Sequence, residues 1–256
     1  MQSFLPYFGG KSKLVSTIVP MIPDHRCYVE VFCGSARVFF AKQESEVEVL
    51  NDYNSELVTL YRVVKYHLDE FVRYFRFMLI AREQFEDLKK QPPAVLTDIQ
   101  RAARHYYLIR TSYAAKVTGQ TFSAGPARRP GLNLVRIEEE LSAIHLRLAR
   151  CYIEHLHFAE AVKRYDRADT FFYLDPPYVG YEDAYGKELF TKADWQTLVD
   201  ALDSMQGKFL LSINDVPFAR ELFGNFKIKR VATKYTSGVK SHRGSKSVAE
   251  LIVTNF

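Results

Sequence analysis

Leu174, Asp175, Pro176, Pro177 and Tyr178 close the apolar run TFFYLD with an acid, a rigid turn and an aromatic ring. Such a run reads as a strand, and the carboxyl ends of strands are where α/β proteins build their sites. Two successive prolines fix φ and withhold two N–H donors, so the corner offers acceptors rather than donors. An amino group suits it: one N–H could go to the Asp175 carboxylate and the other to the Pro176 carbonyl, with the Tyr178 ring over a planar base. The competing reading is a strand followed by a proline-stiffened turn with a capping Asp.

A second candidate constellation lies upstream. YVEVF at 28–32 reads as a strand, Gly34 as a turn, and SARVFFAKQ as a helix that Ser35 could cap. VEVLND at 47–52 is a second strand, and a helix opens at Asn54 and runs to about Tyr66, which completes a βαβ unit. Asp52 lies 18 residues after Gly34, close to the spacing of about 20 at which an acid meets ribose hydroxyls. FCGSAR has one glycine where a pyrophosphate loop needs three, so the ligand this turn admits is an adenosine without phosphates. Alternatively, Gly34 is an ordinary tight turn and Asp52 a helix N-cap.

These residues must be held by a frame of 256 residues, 47% hydrophobic and 25% charged, enough for one large domain or one domain carrying an insertion. The start MQSFLPYFGGKSKL lacks the pattern of a secretory signal and no membrane-length apolar run occurs, so a soluble, cytoplasmic protein is expected. Cys27, Cys33 and Cys151 are too scattered for a zinc site or a disulfide framework, and no metal is expected. Net charge is +5, but its distribution says more. From Lys227 to Ser247 there are seven Lys or Arg and no acid, and Arg128 and Arg129 sit in a second basic stretch, TGQTFSAGPARRPG. With Lys11 and Lys13 they form a candidate phosphate-contacting set that includes Lys240, Arg243 and Lys246; a merely solvated surface is the other reading.

Between Glu56 and Arg150 the texture turns helical and aromatic, with helices expected at 56–66, 68–90, 97–116 and 137–150 and breaks at Pro92, Pro93 and the 119–131 loop. Tyr74, Phe75, Phe77, Tyr106 and Tyr107 read as a buried helix face. The α/β rhythm then resumes through CYIEH, a helix near 159–165, TFFYLD, a helix at 193–205, KFLLSIND and a helix at 217–223. KIKRVATKY and VAELIVTNF have no helix between them and should form an antiparallel hairpin at the sheet edge. Residues 1–55 and 151–256 are therefore read as one discontinuous α/β domain and 56–150 as an inserted helical domain.

PYFGGKSKL at 6–14, VEVFCGSARVFFA at 29–41, LNDYN at 50–54 and LDPPY at 174–178 occur in the order found in the Dam-like, D12 class adenine-N6 DNA methyltransferases, and the chain resembles that family over almost its whole length. The resemblance implies a class I S-adenosylmethionine-dependent methyltransferase sheet, Rossmann-like, with an antiparallel terminal hairpin and a helical DNA-recognition insert. It implies that Tyr7 and Lys11 help hold S-adenosylmethionine, that Gly34 turns below it, and that Asp52 takes its ribose hydroxyls. Phe158 would pack on the cofactor adenine, and Asp175, Pro176 and Tyr178 would form the target pocket. The expected activity is methyl transfer to the N6 amine of an adenine flipped out of duplex DNA, by a monomer or weak dimer. The stretch AAKVTGQTFSAGPARRPG does not reproduce the pattern of GATC readers, so relaxed or non-GATC recognition is expected, with Arg128 and Arg129 at guanines or phosphates. The alternatives are methylation of an RNA adenine or a protein amide, and a silent nucleic-acid-binding subunit.

Overall fold

The computed structural model describes residues 1–6, 14–126, 129–184, 186, 188–234 and 247–256. Seven strands, β1 (Cys27–Glu30), β2 (Val47–Asn51), β3 (Tyr152–Glu154), β4 (Thr170–Leu174), β5 (Lys208–Asn214), β6 (Lys227–Lys234) and β7 (Ser247–Thr254), form one sheet in the order β3-β2-β1-β4-β5-β7-β6. The first five run parallel, while β7 enters antiparallel between β5 and β6. The order reverses between β1 and β4, the topological switch point at which open α/β sheets bind ligands. Because β7 runs against β5, Lys234 and Ser247 pair at the edge where the parallel strands end.

Neighbouring strand residues face opposite sides of the sheet, and the core divides accordingly. Tyr28, Leu50, Phe171, Tyr173, Leu210 and Ile252 join one buried cluster; Val29, Val49, Phe172, Leu174, Leu211 and Val253 join the other. All five residues of β4 are buried, as expected of a central parallel strand covered on both faces. The first face carries α1 (Val15–Ile18), α2 (Arg37–Ala41) and the helices between β2 and β3: α3 (Ser55–Tyr66), α4 (Leu68–Phe75), α5 (Arg82–Lys90), α6 (Asp98–Thr111) and α7 (Ile137–Leu148). The second carries α8 (Phe158–Tyr165), α9 (Asp194–Asp203) and α10 (Pro217–Leu222).

Local chemistry sets several boundaries. Asn54 Oδ1 accepts from the N–H groups of Glu56 and Leu57 and starts α3, and Thr97 with Gln100 forms a capping box that starts α6. Three expectations are corrected. The single helix expected over 68–90 is two, α4 and α5, because the buried Tyr107 hydroxyl donates to Leu79 O and accepts from Ala81 N, holding 79–81 out of helical pairing. Ser35 does not cap α2: the helix starts after Ala36, in the left-handed region at φ 49°, with no side-chain cap. Of the aromatic stripe, Phe75, Tyr106 and Tyr107 are buried, but Tyr74 is exposed on α4 and Phe77 is 87% exposed beyond its end.

Candidate active site

The carboxyl ends of β1, β2, β4 and β5 converge on one edge and gather acids. Gly34 follows β1 with φ 47°, a left-handed turn that a side chain would strain. Its N–H donates to Asp52 Oδ2 at 2.9 Å, and Asn54 N donates to Asp52 Oδ1 at 3.0 Å. The helix cap is thus Asn54, and Asp52 spans from the end of β2 to the turn after β1. Burial pushes its carboxyl up from the ordinary value, while the Asn54 and Gly34 N–H groups pull it back. The two oxygens together offer about four acceptor sites, so capacity remains beyond the backbone donors for a ribose hydroxyl.

Asp175 stands directly after β4. Ser212 Oγ, on β5, donates to Asp175 Oδ1 at 3.1 Å and lies 3.0 Å from the Tyr173 hydroxyl. Because the single Ser212 proton goes to the carboxylate, the tyrosine is the donor to serine, and the bonds run Tyr173 to Ser212 to Asp175. Pro176 and Pro177 are buried and Tyr178 is half-buried. Its hydroxyl donates to Glu250 Oε1 on β7 at 2.7 Å. Beneath the corner, Glu30 at the end of β1 is 2% exposed and accepts from the Tyr28 hydroxyl and from Phe39 N. Burial pushes its carboxyl up to about 8, and the Asp175 charge adds to the shift.

Phe158 opens α8 with 3% of its surface exposed, packed against Phe32 and Phe190 with ring centroids 5.5 and 5.7 Å away. Its ring lies 4.2 Å from that of His157, which meets Tyr53 edge-on at 5.6 Å. Tyr53, beside Asp52, is 43% exposed and is the open aromatic face of this wall. Sequence reading passed over Tyr53, Glu30, Ser212, Asn214 and Glu250. The signals available were an aromatic directly after the ribose acid, and polar residues inside otherwise apolar strands.

Tyr7, Lys11, Lys13, Arg128, Lys240, Arg243 and Lys246 lie outside the described residues. Arg129 is exposed. Upstream of it, α6 stops at Thr111 rather than continuing to 116, and the chain turns back on itself: Tyr113 N donates to Thr121 O and Ser123 N to Thr111 O, both at 2.8 Å. Ala114 and Ala115 hold φ of 55° and 51° in this hairpin, a conformation that costs alanine about 1 kcal/mol or more per residue. Tyr113 is 50% exposed beside them. Among the described residues no group of three or more His, Cys, Asp or Glu is placed to hold a metal ion, and no helix is long and apolar enough to cross a membrane.

A seven-stranded sheet of this order, with its reversed penultimate strand and an acid-lined switch point, defines a class I S-adenosylmethionine-dependent methyltransferase fold. Within that class, residues 7–237 match the family model for D12 class N6 adenine-specific DNA methyltransferases, and the chain belongs to that family. Similar proteins include the type II methyltransferase M1.LlaDCHI of Lactococcus lactis subsp. cremoris, 27% identical over 275 residues spanning 100% of this chain and 96% of that protein. The DNA adenine methylase of Escherichia coli K12 is 28% identical over 276 residues, 98% of this chain and 94% of the relative. The type II methyltransferase M.CviBI of Paramecium bursaria Chlorella virus NC1A is 26% identical over 265 residues and spans 100% of both chains. The protein is an adenine-specific DNA methyltransferase that uses S-adenosylmethionine as methyl donor.

Proposed function

We propose that Asp175 and Pro176 hold the N6 amine of an adenine flipped out of DNA, with Tyr178 against the base. The observation that carries this reading is the Asp175 carboxylate, fixed by Ser212 at the end of β4. An exocyclic adenine amine is barely basic because its lone pair is delocalised into the ring. Two acceptors aimed at its hydrogens bend them from the ring plane and localise the lone pair, so Asp175 acts as acceptor and positioner, not as a base that must first remove a proton. Orientation of this kind is worth roughly 7 to 11 kcal/mol. A base in a duplex is out of reach of such a corner, and extrusion costs a few kcal/mol, offset by stacking on Tyr178 and by contacts to the backbone.

The residues present suit S-adenosylmethionine. Asp52 faces the ribose hydroxyls, Gly34 keeps the turn free of a side chain, and Tyr53 and Phe158 line the adenine side. The acid-rich edge complements a sulfonium cation. When bound, the cofactor supplies an electrophilic methyl group. Tyr7 and Lys11 are assigned to the same site. Residues 56–150 serve as the target-recognition domain, with the 112–123 hairpin and the basic residues Arg128 and Arg129 over the duplex, while Lys240, Arg243 and Lys246 meet phosphates. Recognition is relaxed or differs from GATC, and no metal takes part.

The test is incubation of the purified chain with labelled S-adenosylmethionine and, separately, duplex DNA, single-stranded DNA, RNA and a protein extract, followed by identification of the methylated atom. Label on adenine N6 of DNA is expected. Asp175→Ala should lower turnover by about a hundredfold or more while leaving DNA affinity within about threefold. Near-normal turnover of the variant, or label confined to RNA or protein, contradicts the assignment.

A further inference from the structure

Tyr178 is useful to a flat base only if its ring plane is fixed, and the element that fixes it is not the one that carries it. Asn214 of β5 and Glu250 of β7 are direct partners in the antiparallel register. Asn214 Oδ1 accepts from Val179 N at 3.0 Å and its Nδ2 donates to Val179 O at 3.2 Å, a two-point clamp on the backbone. Glu250, with none of its surface exposed, accepts from the hydroxyl of the preceding residue, Tyr178. Two paired residues on neighbouring strands therefore grip two consecutive residues of the loop. Ser212, two residues before Asn214 and on the same face of β5, holds Asp175 at the loop's other end. Farther along, Gly180 N and Trp195 Nε1 both donate to Glu182 Oε1 at 3.1 Å, which pins the exit of the segment.

A ring used only for its π face could be Phe; the phenol here is engaged by a buried carboxylate. We infer that Glu250 is a positioning residue for methyl transfer: through its bond to the Tyr178 hydroxyl, with Asn214 clamping the next residue, it sets the orientation of the ring that receives the target adenine. This rests on the reading of Tyr178 as part of the base pocket. The bond to the Tyr178 hydroxyl ties Glu250 to the base step, so its effect is read in kcat.

The experiment is a cycle of Glu250→Ala, Tyr178→Phe and the double variant in the full-length enzyme, assayed on a duplex that the wild type methylates. Each single variant should lower kcat by about tenfold, the worth of one hydrogen bond to a charged group, with KM for S-adenosylmethionine within about twofold. The double variant should be no worse than either single, since both remove the same bond. Glu250→Gln, whose amide oxygen still accepts, should recover to within about threefold of wild type. Multiplicative losses in the double variant, unchanged kcat in Glu250→Ala, or a loss confined to the KM for cofactor overturns the inference. If Glu250→Ala gives no cooperative melt, Glu250→Gln replaces it: a modest fall in kcat beside tyrosine and none beside phenylalanine supports the role, and equal falls in both overturn it. A wild type that methylates no DNA refutes the proposed function instead, so the two failures are distinguishable.

Discussion

Glu30 illustrates how a single buried acid shapes the edge around it. Its carboxyl is pushed up from 4.5 to about 8 by burial, so at neutral pH the folded protein keeps it protonated and Asp175 has no ionised neighbour there. In the unfolded chain the same group releases its proton at its ordinary value. Between about 4.5 and about 8 the folded state binds the extra proton, so stability falls as pH rises through that window and the loss levels off above it. Glu30→Gln, which has no proton to lose, should therefore melt with a flatter pH dependence and gain most over the wild type at pH 8 and above. Thermal melts across that range check it; parallel curves for the two proteins would rule it out. At this scale LDPPY and the Gly34 to Asp52 spacing were legible because each is a contiguous or short-range pattern. Glu250 was not, since its partner lies 72 residues away and only the sheet register joins them.

Elements were legible in kind and order, and the misses have tertiary causes. Nothing in RFMLIA interrupts a helix; the break between α4 and α5 is made by the phenol of Tyr107, which reaches them from α6. The last turn of α7 is tied to the sheet by one side chain. Arg147 gives Glu48 on β2 a two-point bond, lies 3.7 Å over the Phe39 ring, and donates to Phe39 O. Glu48 also accepts from Lys42. The Arg147 and Glu48 side chains are 8% and 6% exposed, and Lys42 stays paired with Glu48 when Arg147 is removed, so the loss is the two-point bond and the contact with Phe39. Arg147→Ala should cost about 2 to 3 kcal/mol in urea unfolding, and Lys at this position should recover little because it cannot bond at two points. A loss below about 1 kcal/mol would place this pair among ordinary surface bridges.

At the scale of the whole molecule, the helices between β2 and β3 and one face of the sheet share a single buried cluster. Sequence texture marked 56–150 as an insertion, but composition cannot reveal that its aromatic side chains Phe71, Tyr106 and Tyr107 belong to the same core as Tyr28 and Phe171. With that segment as the proposed target-recognition domain, specificity follows from what it offers the duplex. The strained 112–123 hairpin and the ARRPG stretch beyond it lack the pattern of GATC readers, so sequencing of methylated adenines from a mixed-sequence duplex should find sites other than GATC. Confinement to that tetranucleotide would refute the prediction.

The reversed strand β7 has one more consequence. Had the last two strands continued the parallel run, a connection between them would have crossed to the far side of the sheet. Instead Lys234 and Ser247 pair on the same rim as Asp52 and Asp175. The ends of β6 and β7 are thereby held at the mouth of the site and not behind the sheet, so the two closing strands frame the carboxylates.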